Sequence, residues 1–297
     1  MTFLSMKTSD RRPTNRWGPD KRLEFIDYRL RWDGRLNRSD LSEFFGVSTP
    51  QASLDISRYV ALAPENVRYD RSERVYLATE AFRPLFPSSS PQRFLNDLLA
   101  YASGVMEPGA TFLGWHPLVA VAPTPTRTLG TETLVALVGA MRRGQALAMT
   151  YQSMKSATPK TRVISPKAFG HDGFRWHVRA YCHLESGYRD FVIARILSLG
   201  EEQPAPSEPP EDTDWNTSIT LALEPHPGLT DAQRRAIALD YGMEQGEVRF
   251  ECRRALLLYT VRNLGLNKVE GKTPKEQQIV LKNHEEISSL LDRPPGK

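Results

Sequence analysis

Apolar positions in the first eighty residues follow two periods in succession. Over residues 20–33, DKRLEFIDYRLRWD, Leu23, Phe25, Ile26, Leu30 and Trp32 fall near helical spacing, and Gly34 supplies a residue suited to ending the helix. Residues 39–60, SDLSEFFGVSTPQASLDISRYV, carry two more helical patterns. Leu41, Phe44 and Phe45 share one face of a short helix, Gly46 breaks it, and a second helix follows with Ala52, Ile56, Tyr59 and Val60 inward. Ser48 and Gln51 have capping-box spacing, and Pro50 sits in the first turn, where its missing N–H is harmless. The period then shortens to two: VRY and RVYL, within residues 66–77, flank the polar tip DRSE and predict a β-hairpin.

Two helices joined by a glycine turn are common in any α-helical domain. Followed at once by a basic hairpin, they have the order of a winged helix-turn-helix. The outward face of the second helix shows Gln51, Leu54 and Arg58, flanked by Ser53. Glutamine pairs bidentately with adenine, arginine with guanine or a phosphate, and the small residues Ser48 and Thr49 let the helix end approach a DNA backbone. Arg68, Arg71 and Arg74 lie on the hairpin, and Arg11, Arg12, Arg16 and Trp17 precede the first helix as an arm. The expected DNA contacts are therefore Ser48, Thr49, Gln51, Ser53, Arg58, Arg71 and Arg74.

The proline and serine cluster PLFPSSSP (84–91) and the acidic, proline-rich stretch EEQPAPSEPPEDTD (201–214) punctuate the rest of the chain. They suggest a DNA-binding domain over 1–85, a helical linker over 86–135, a sensing domain over 136–200 and a C-terminal domain over 215–297. Helical patterns in QRFLNDLLAYAS and TETLVALVGAMRRG give way to strand patterns at 147–154, 161–169, 172–182 and 188–197, which predict a small, strongly curved sheet. In DGFRWHVRAYC (172–182), Phe174, Trp176, Val178, Ala180 and Cys182 alternate with Arg175, His177, Arg179 and Tyr181. The first set reads as a core face and the second as a row of donors. The C-terminal block reads strand, helix, strand, helix: SITLALE, DAQRRAIALDYG, EVRFEC, RRALLLYTVRNLG.

Composition narrows the function classes. A chain of 297 residues, 40% hydrophobic and 25% charged, is long enough for two or three folded domains and unlike a disordered protein. Its net charge of +4 names no partner, but residues 141–199 hold ten Lys or Arg against three acids. Clustered cations repel unless something anionic lies between them, which points to a phosphate-bearing ligand, with Tyr151 and Tyr181 available for stacking. Two cysteines seventy residues apart exclude a disulfide framework and a cysteine-rich metal site, so a reducing cytoplasm is expected. Neither a signal peptide nor a membrane span is apparent.

Catalytic signals are weak. GLNKVEGKT (265–273) has the wrong glycine spacing for a phosphate-binding loop, and Cys182 and His183, adjacent in a strand, diverge to opposite faces. No metal-binding or nucleophile motif appears, and the expectation is a protein without catalytic residues, metal or cofactor. Fifteen bases against twelve acids over residues 1–90 give the reading head too little charge for tight nonspecific binding alone, which favours a dimer presenting two heads. An RNA or single-stranded nucleic-acid adaptor without operator specificity is the alternative.

YQSM, ISPKAFGHDGFRWHVRAYC and YRDFVIARI, behind a winged helix, resemble the WYL-domain transcriptional regulators, and within them the autoregulators found beside bacterial phage-defence systems. Trp176, His177 and Val178 occupy the name-giving positions, of which only the first matches. The resemblance covers nearly the whole chain. It implies an α+β multidomain protein with an N-terminal winged helix, a central Sm-like β-barrel that senses a nucleotide or nucleic-acid ligand, and a small C-terminal α/β extension. It further implies a cytoplasmic homodimer that represses from a pseudo-palindromic double-stranded operator. Ser153, Arg175, Arg189 and Arg195 stand where ligand-contacting residues are expected, and Lys167 where relatives commonly have histidine. With the strand residues Tyr151, His177 and Arg179 these complete the expected ligand set.

Overall fold

Helix α1 (Pro19–Asp33) places Leu23, Phe25, Ile26, Tyr28 and Leu30 in the first core, and Gly34, at φ 71°, turns the chain out of it. The computed structural model describes residues 18–107, 109–123, 125, 128–267 and 271–291, and the chain divides at Thr124 into two compact units. The arm residues Arg11, Arg12, Arg16 and Trp17 lie outside the described residues.

In the first unit, β1 (Arg35–Leu36) leads into α2 (Arg38–Phe45), which Gly46 ends in a left-handed conformation, and into α3 (Thr49–Leu62). Strands β2 (Val67–Asp70) and β3 (Val75–Ala78) form the hairpin, and β1 joins them as a third antiparallel strand in the order β1-β3-β2. Helix α4 (Pro91–Ala102) belongs to the same core. Phe94 stacks on Trp32 with ring centroids 4.3 Å apart, and Phe112 packs edge-on against Phe25 and Tyr28. The stretch 86–135 is thus shared: α4 and Phe112 lie with the winged helix, while α5 (Thr131–Arg143) opens the second unit.

A buried carboxylate ties the first unit together. Asp27 accepts hydrogen bonds from the Tyr59 hydroxyl (2.6 Å), the Ser89 hydroxyl (2.6 Å) and the backbone N–H groups of Leu85 and Phe86. Helix α3 is thereby fixed to α1 and to the chain that follows the hairpin, because a buried acid must have its acceptors filled.

The second unit carries β4 (Ala146–Tyr151), β5 (Lys160–His171), β6 (Trp176–Cys182), β7 (Gly187–Val192) and β8 (Ile196–Gln203) in one antiparallel sheet, ordered β7-β6-β5-β4-β8. Register shifts between Pro166 and Ala168 and within β4 bend it, as bulges do. Strands β7 and β8 end the order and do not pair with each other among the described residues, so the sheet is open where they meet and does not confirm the Sm-like barrel implied by the resemblance. Leu137 and Ala140 of α5 pack on Leu147, Met149, Ile164, Val178, Ala180 and Cys182.

Beyond α6 (Thr213–Asn216), the C-terminal region follows the predicted alternation with β9 (Ser218–Pro225), α7 (Asp231–Asp240), β10 (Val248–Arg253) and α8 (Leu257–Asn263). It adds β11 (Ile279–Leu281) and α9 (His284–Leu291), which the periodicity does not announce. The sheet order is β10-β9-β11, and Leu221, Leu223, Ile237, Leu257, Val261 and Ile287 fill its core.

Three sequence readings need correction. Residues 201–203 of the acidic stretch belong to β8, and its far end is bound to the sheet, so 201–214 is not a free linker. The expected strand over 188–197 is two, broken by a 3-10 turn at Ile193–Arg195. In the 172–182 segment, Phe174 and Trp176 are exposed while His177 and Arg179 are buried. Alternation misleads there because the C-terminal region covers the face that was read as wet, and Phe174 lies in the β5–β6 turn instead of the strand.

Candidate nucleic-acid interface and effector site

The outward face of α3 begins at its cap. The Ser48 hydroxyl accepts from the Gln51 N–H at 3.3 Å. The Gln51 side chain does not complete the predicted capping box: its Nε2 donates to Asp55 Oδ1 at 3.1 Å, one turn along. Asp55 is buried and takes two hydrogen bonds from the Arg22 guanidinium, at 2.6 and 3.1 Å. Gln51 is therefore held by a braced carboxylate, with its carbonyl oxygen uncommitted. The box forms one helix earlier, where the Asp40 carboxylate accepts the Asn37 N–H at 2.7 Å.

Thr49, Leu54, Ser57 and Arg58 are exposed, and Ser53 is half-buried. Among the described residues Arg58 pairs only with Asp20, at 3.8 Å, with both side chains largely in solvent. At the hairpin tip Arg71 and Arg74 are exposed, and neither makes an ion pair among the described residues. The tip is folded by Asp70, whose carboxylate accepts from Ser72 N, Ser72 Oγ and Glu73 N and is held below its ordinary pKa by those bonds. Arg38 links helix to wing: its Nε donates to Ser53 Oγ at 2.9 Å, its Nη2 to Tyr76 OH at 2.8 Å, and its guanidinium lies over the Tyr69 and Tyr76 rings. Sequence reasoning missed Arg38, whose place beside two tyrosines depends on the β2–β3 pairing.

The predicted ligand residues separate into three groups. Arg175, His177 and Arg195 share one electrostatic neighbourhood with Asp172 and His171. His177 is buried, its ring stacked on Tyr259 at 5.0 Å, its Nε2 3.6 Å from Asp172 and its Nδ1 without a partner. Burial lowers the His177 pKa, the Asp172 carboxylate opposes that, and Arg175, Arg195 and His171 reinforce it, so the imidazole is neutral. Burial acts to raise Asp172, but the N–H groups of Phe174 and Arg175 and the Arg175 guanidinium outweigh it and hold the carboxyl below its ordinary value.

Tyr151 adjoins this group: it is buried, edge-on to Phe191, its hydroxyl accepts the N–H of Val192, the register partner of His177, at 3.2 Å, and the neighbouring Gln152 N–H donates to the Arg195 carbonyl. Arg189 and the buried Arg162 both donate to Glu185, at 2.9 and 2.8 Å. Ser153 follows Gln152, beside the Arg195 backbone, and its hydroxyl accepts the Lys155 N–H. Lys167 lines a separate cleft of about 480 Å³ with Ser165, Tyr188, Glu208 and Glu211.

Arg179 belongs to none of these groups as a free cation. It is 3% exposed, makes two hydrogen bonds to Asp212 at 2.7 and 2.8 Å and a third to Asp190 at 3.2 Å, and lies over the Tyr188 ring. The anion that the clustered cations require is here a side chain, contributed by the acidic stretch that follows the sheet. Asp190 is itself pushed up by burial, against the pull of Arg179, and accepts a hydrogen bond from Tyr259.

Among the described residues, no cluster of three or more His, Cys, Asp or Glu side chains has metal-binding geometry, and no helix is long and apolar enough to cross a membrane. Cys182 is buried in the sheet core near Arg162, while His183 pairs with Ser165, so the two do not meet.

Comparison with known proteins matches three family models in chain order: the BrxR transcriptional regulator winged helix-turn-helix domain over residues 19–100, the WYL domain over 132–200, and the BrxR transcriptional regulator C-terminal dimerization domain over 218–287. The chain is 46% identical to the DNA-binding transcriptional repressor CapW of Pseudomonas aeruginosa, over 96% of this chain and 98% of that protein. It is 44% identical to the CapW repressor of Stenotrophomonas maltophilia, over 93% of each. Among solved structures, the proteasome accessory factor PafBC of Arthrobacter aurescens aligns at 17% identity with a TM-score of 0.22, covering 98% of this chain and 51% of its own, a likeness too loose to support any reading of the site. Identity at this level over almost the full length, with all three domains in order, means that the chain belongs to the CapW/BrxR family of WYL-domain transcriptional regulators.

Proposed function

We propose that this protein is a sequence-specific DNA-binding repressor that acts as a homodimer on a pseudo-palindromic operator and is relieved by a nucleotide or nucleic-acid effector captured by its WYL domain. The observation that carries the DNA reading is the pairing of an exposed α3 face with a wing tip whose Arg71 and Arg74 make no ion pair among the described residues. Free guanidiniums beside a capped helix end are what phosphates and base edges take. The name of the relatives, DNA-binding transcriptional repressor, supports the sign of regulation, and the matched dimerization domain supports the two-headed assembly. The family resemblance extends the proposal to operons of bacterial phage defence.

Arg175 and Arg195, beside the buried His177 ring, make the favoured effector site, because Arg175 gives only its Nε to Asp172 and Arg195 makes no ion pair among the described residues. Tyr151 and Ser153 adjoin it, while Arg189 supplies a second cation, paired with Glu185. Arg179 serves the fold instead.

In a gel-shift titration of the full chain on DNA from its own promoter, Gln51→Ala combined with Arg58→Ala removes operator binding while sedimentation still shows the wild-type dimer. An unchanged shift refutes the helix assignment. Operator duplex outcompetes random duplex at least about a thousandfold, whereas an RNA or single-strand adaptor shows no such ratio. Arg195→Ala abolishes the response to effector; loss of operator affinity instead would put the sheet on the DNA.

A further inference from the structure

The β5–β6 turn and helix α8 enclose a crevice of about 200 Å³ lined by Asp172, Phe174, Arg175, Tyr259, Arg262 and Asn263. Half of that lining comes from the WYL sheet and half from the C-terminal dimerization domain. The Asp172 carboxylate is held within the turn by the N–H groups of Phe174 and Arg175 and by Arg175 Nε, so it offsets the charge of Arg175 and leaves Arg262 as the uncompensated cation at the opening. Arg175 spends only Nε on Asp172, leaving its two terminal nitrogens free. The Arg262 side chain is exposed and makes no hydrogen bond or ion pair among the described residues. Phe174, 68% exposed, offers a flat apolar face at the rim.

Two guanidiniums with unused donors, an exposed aromatic ring and the Asn263 side chain make a recognition set for a phosphate group attached to something flat. The volume admits a phosphoryl group with its ester oxygen and part of a ring, not a folded polymer. We propose that this crevice is a phosphate subsite, completed by Arg262 of the C-terminal domain, that holds the terminal phosphate of a nucleotide or of a nucleic-acid strand. The inference rests on the effector reading above and deepens it, because it assigns part of the site to a domain outside the WYL sheet.

The placement gives the ligand a mechanical consequence. Helix α8 already touches the sheet at three points: Tyr259 stacks on His177, the Tyr259 hydroxyl donates to Asp190 at 3.4 Å, and Asn263 Nδ2 donates to the Asp172 carbonyl at 2.7 Å. Its opposite side, Leu257 and Val261, is part of the dimerization-domain core. A phosphate bridging Arg175 and Arg262 adds a fourth tie between the β5–β6 turn and that helix. Occupancy thereby biases the domain that sets the dimer, and only differential binding of this kind lets an effector shift a two-state assembly.

The test uses the full chain and three probes: tetrathymidylate with a 5′-phosphate, the same oligonucleotide with a 5′-hydroxyl, and adenosine monophosphate, each titrated calorimetrically. Wild type binds the phosphorylated oligonucleotide more tightly than the hydroxyl form; Arg262→Ala weakens the phosphorylated probe about tenfold and erases that difference, and Arg262→Lys restores part of it. The same Arg262 dependence with adenosine monophosphate identifies a free nucleotide as sufficient; dependence with the oligonucleotide alone identifies a strand end. If Arg262→Ala binds the phosphorylated probe like wild type while Arg195→Ala loses it, the subsite is refuted and the WYL effector reading stands. If no probe binds wild type, both fall.

Discussion

The winged helix and the WYL sheet are both rich in arginine, and the structure uses those arginines in opposite ways. On α3 and the wing, Arg58, Arg71 and Arg74 stand in solvent with at most a long contact to a carboxylate. In the sheet, Arg162, Arg179 and Arg189 are drawn into Glu185, Asp190 and Asp212. Surface guanidiniums cost little to leave unpaired, so they wait for an external anion; a buried one must be neutralised within the fold. Counting cations along the sequence therefore overstates the sheet as a binding surface and describes the wing fairly.

The sharpest way to break this comparison is to remove an internal anion. Asp212→Ala takes from Arg179, 3% exposed, its two shortest hydrogen bonds and leaves it only the longer contacts to Asp190 and Asp214, and the loss is expected at about 3 kcal/mol, or roughly a 10 °C fall in Tm for a unit of this size. Replacing the buried cluster as a whole, Arg179→Met with Asp212→Leu and Asp190→Asn, recovers most of it, since the cost lies in the unpaired charge. Differential scanning calorimetry decides: an unshifted transition for Asp212→Ala would mean the pair is wet and Arg179 is available to ligand after all.

The opposite behaviour is expected at the wing. Arg71→Ala with Arg74→Ala leaves unfolding within about 0.5 kcal/mol of wild type, because neither side chain packs or pairs. Operator affinity falls alike on all sequences, and the slope of log affinity against log salt drops by about one for each phosphate contact removed. A slope that stays constant while affinity drops would show that these arginines shape the tip instead of touching phosphate. Arg74, at φ 53°, makes that a fair risk, so Arg71→Ala alone serves as the control.

The uneven legibility of the sequence follows from the same contrast. Helix α3 could be read because its inward residues Ala52, Ile56 and Tyr59 recur at a local period and Gly46 marks its start. Its braces could not: Asp55 and Asp27 look like ordinary surface acids until Arg22 and Tyr59, more than thirty residues away, close on them. The 172–182 segment has a real alternation, but period two reports only that two faces exist. Which face is dry depended on Asp212 and Tyr259, and hence on elements assigned to a linker and to a separate domain. β11 has three residues and no period to detect.

The smallest effect tests whether the sheet neutralises histidine as thoroughly as arginine. His177 titrates below its ordinary value of 6.5, burial being the main cause, with Asp172 opposing and Arg175, Arg195 and His171 adding to it. Between 6.5 and the lower folded value the unfolded chain binds more protons than the native one, so stability rises with pH there. The contribution is complete above the unfolded value and is lost as pH falls through the folded one. His183, also lowered by burial, acts in the same direction, so the measurement must be a difference. His177→Phe keeps a ring against Tyr259 and removes the titration, and its urea stability plotted from pH 7.5 to pH 5 runs flatter than wild type. An equal slope in both proteins would mean that Asp172 accepts the His177 proton without penalty, and that the buried imidazole is as well compensated as Arg179.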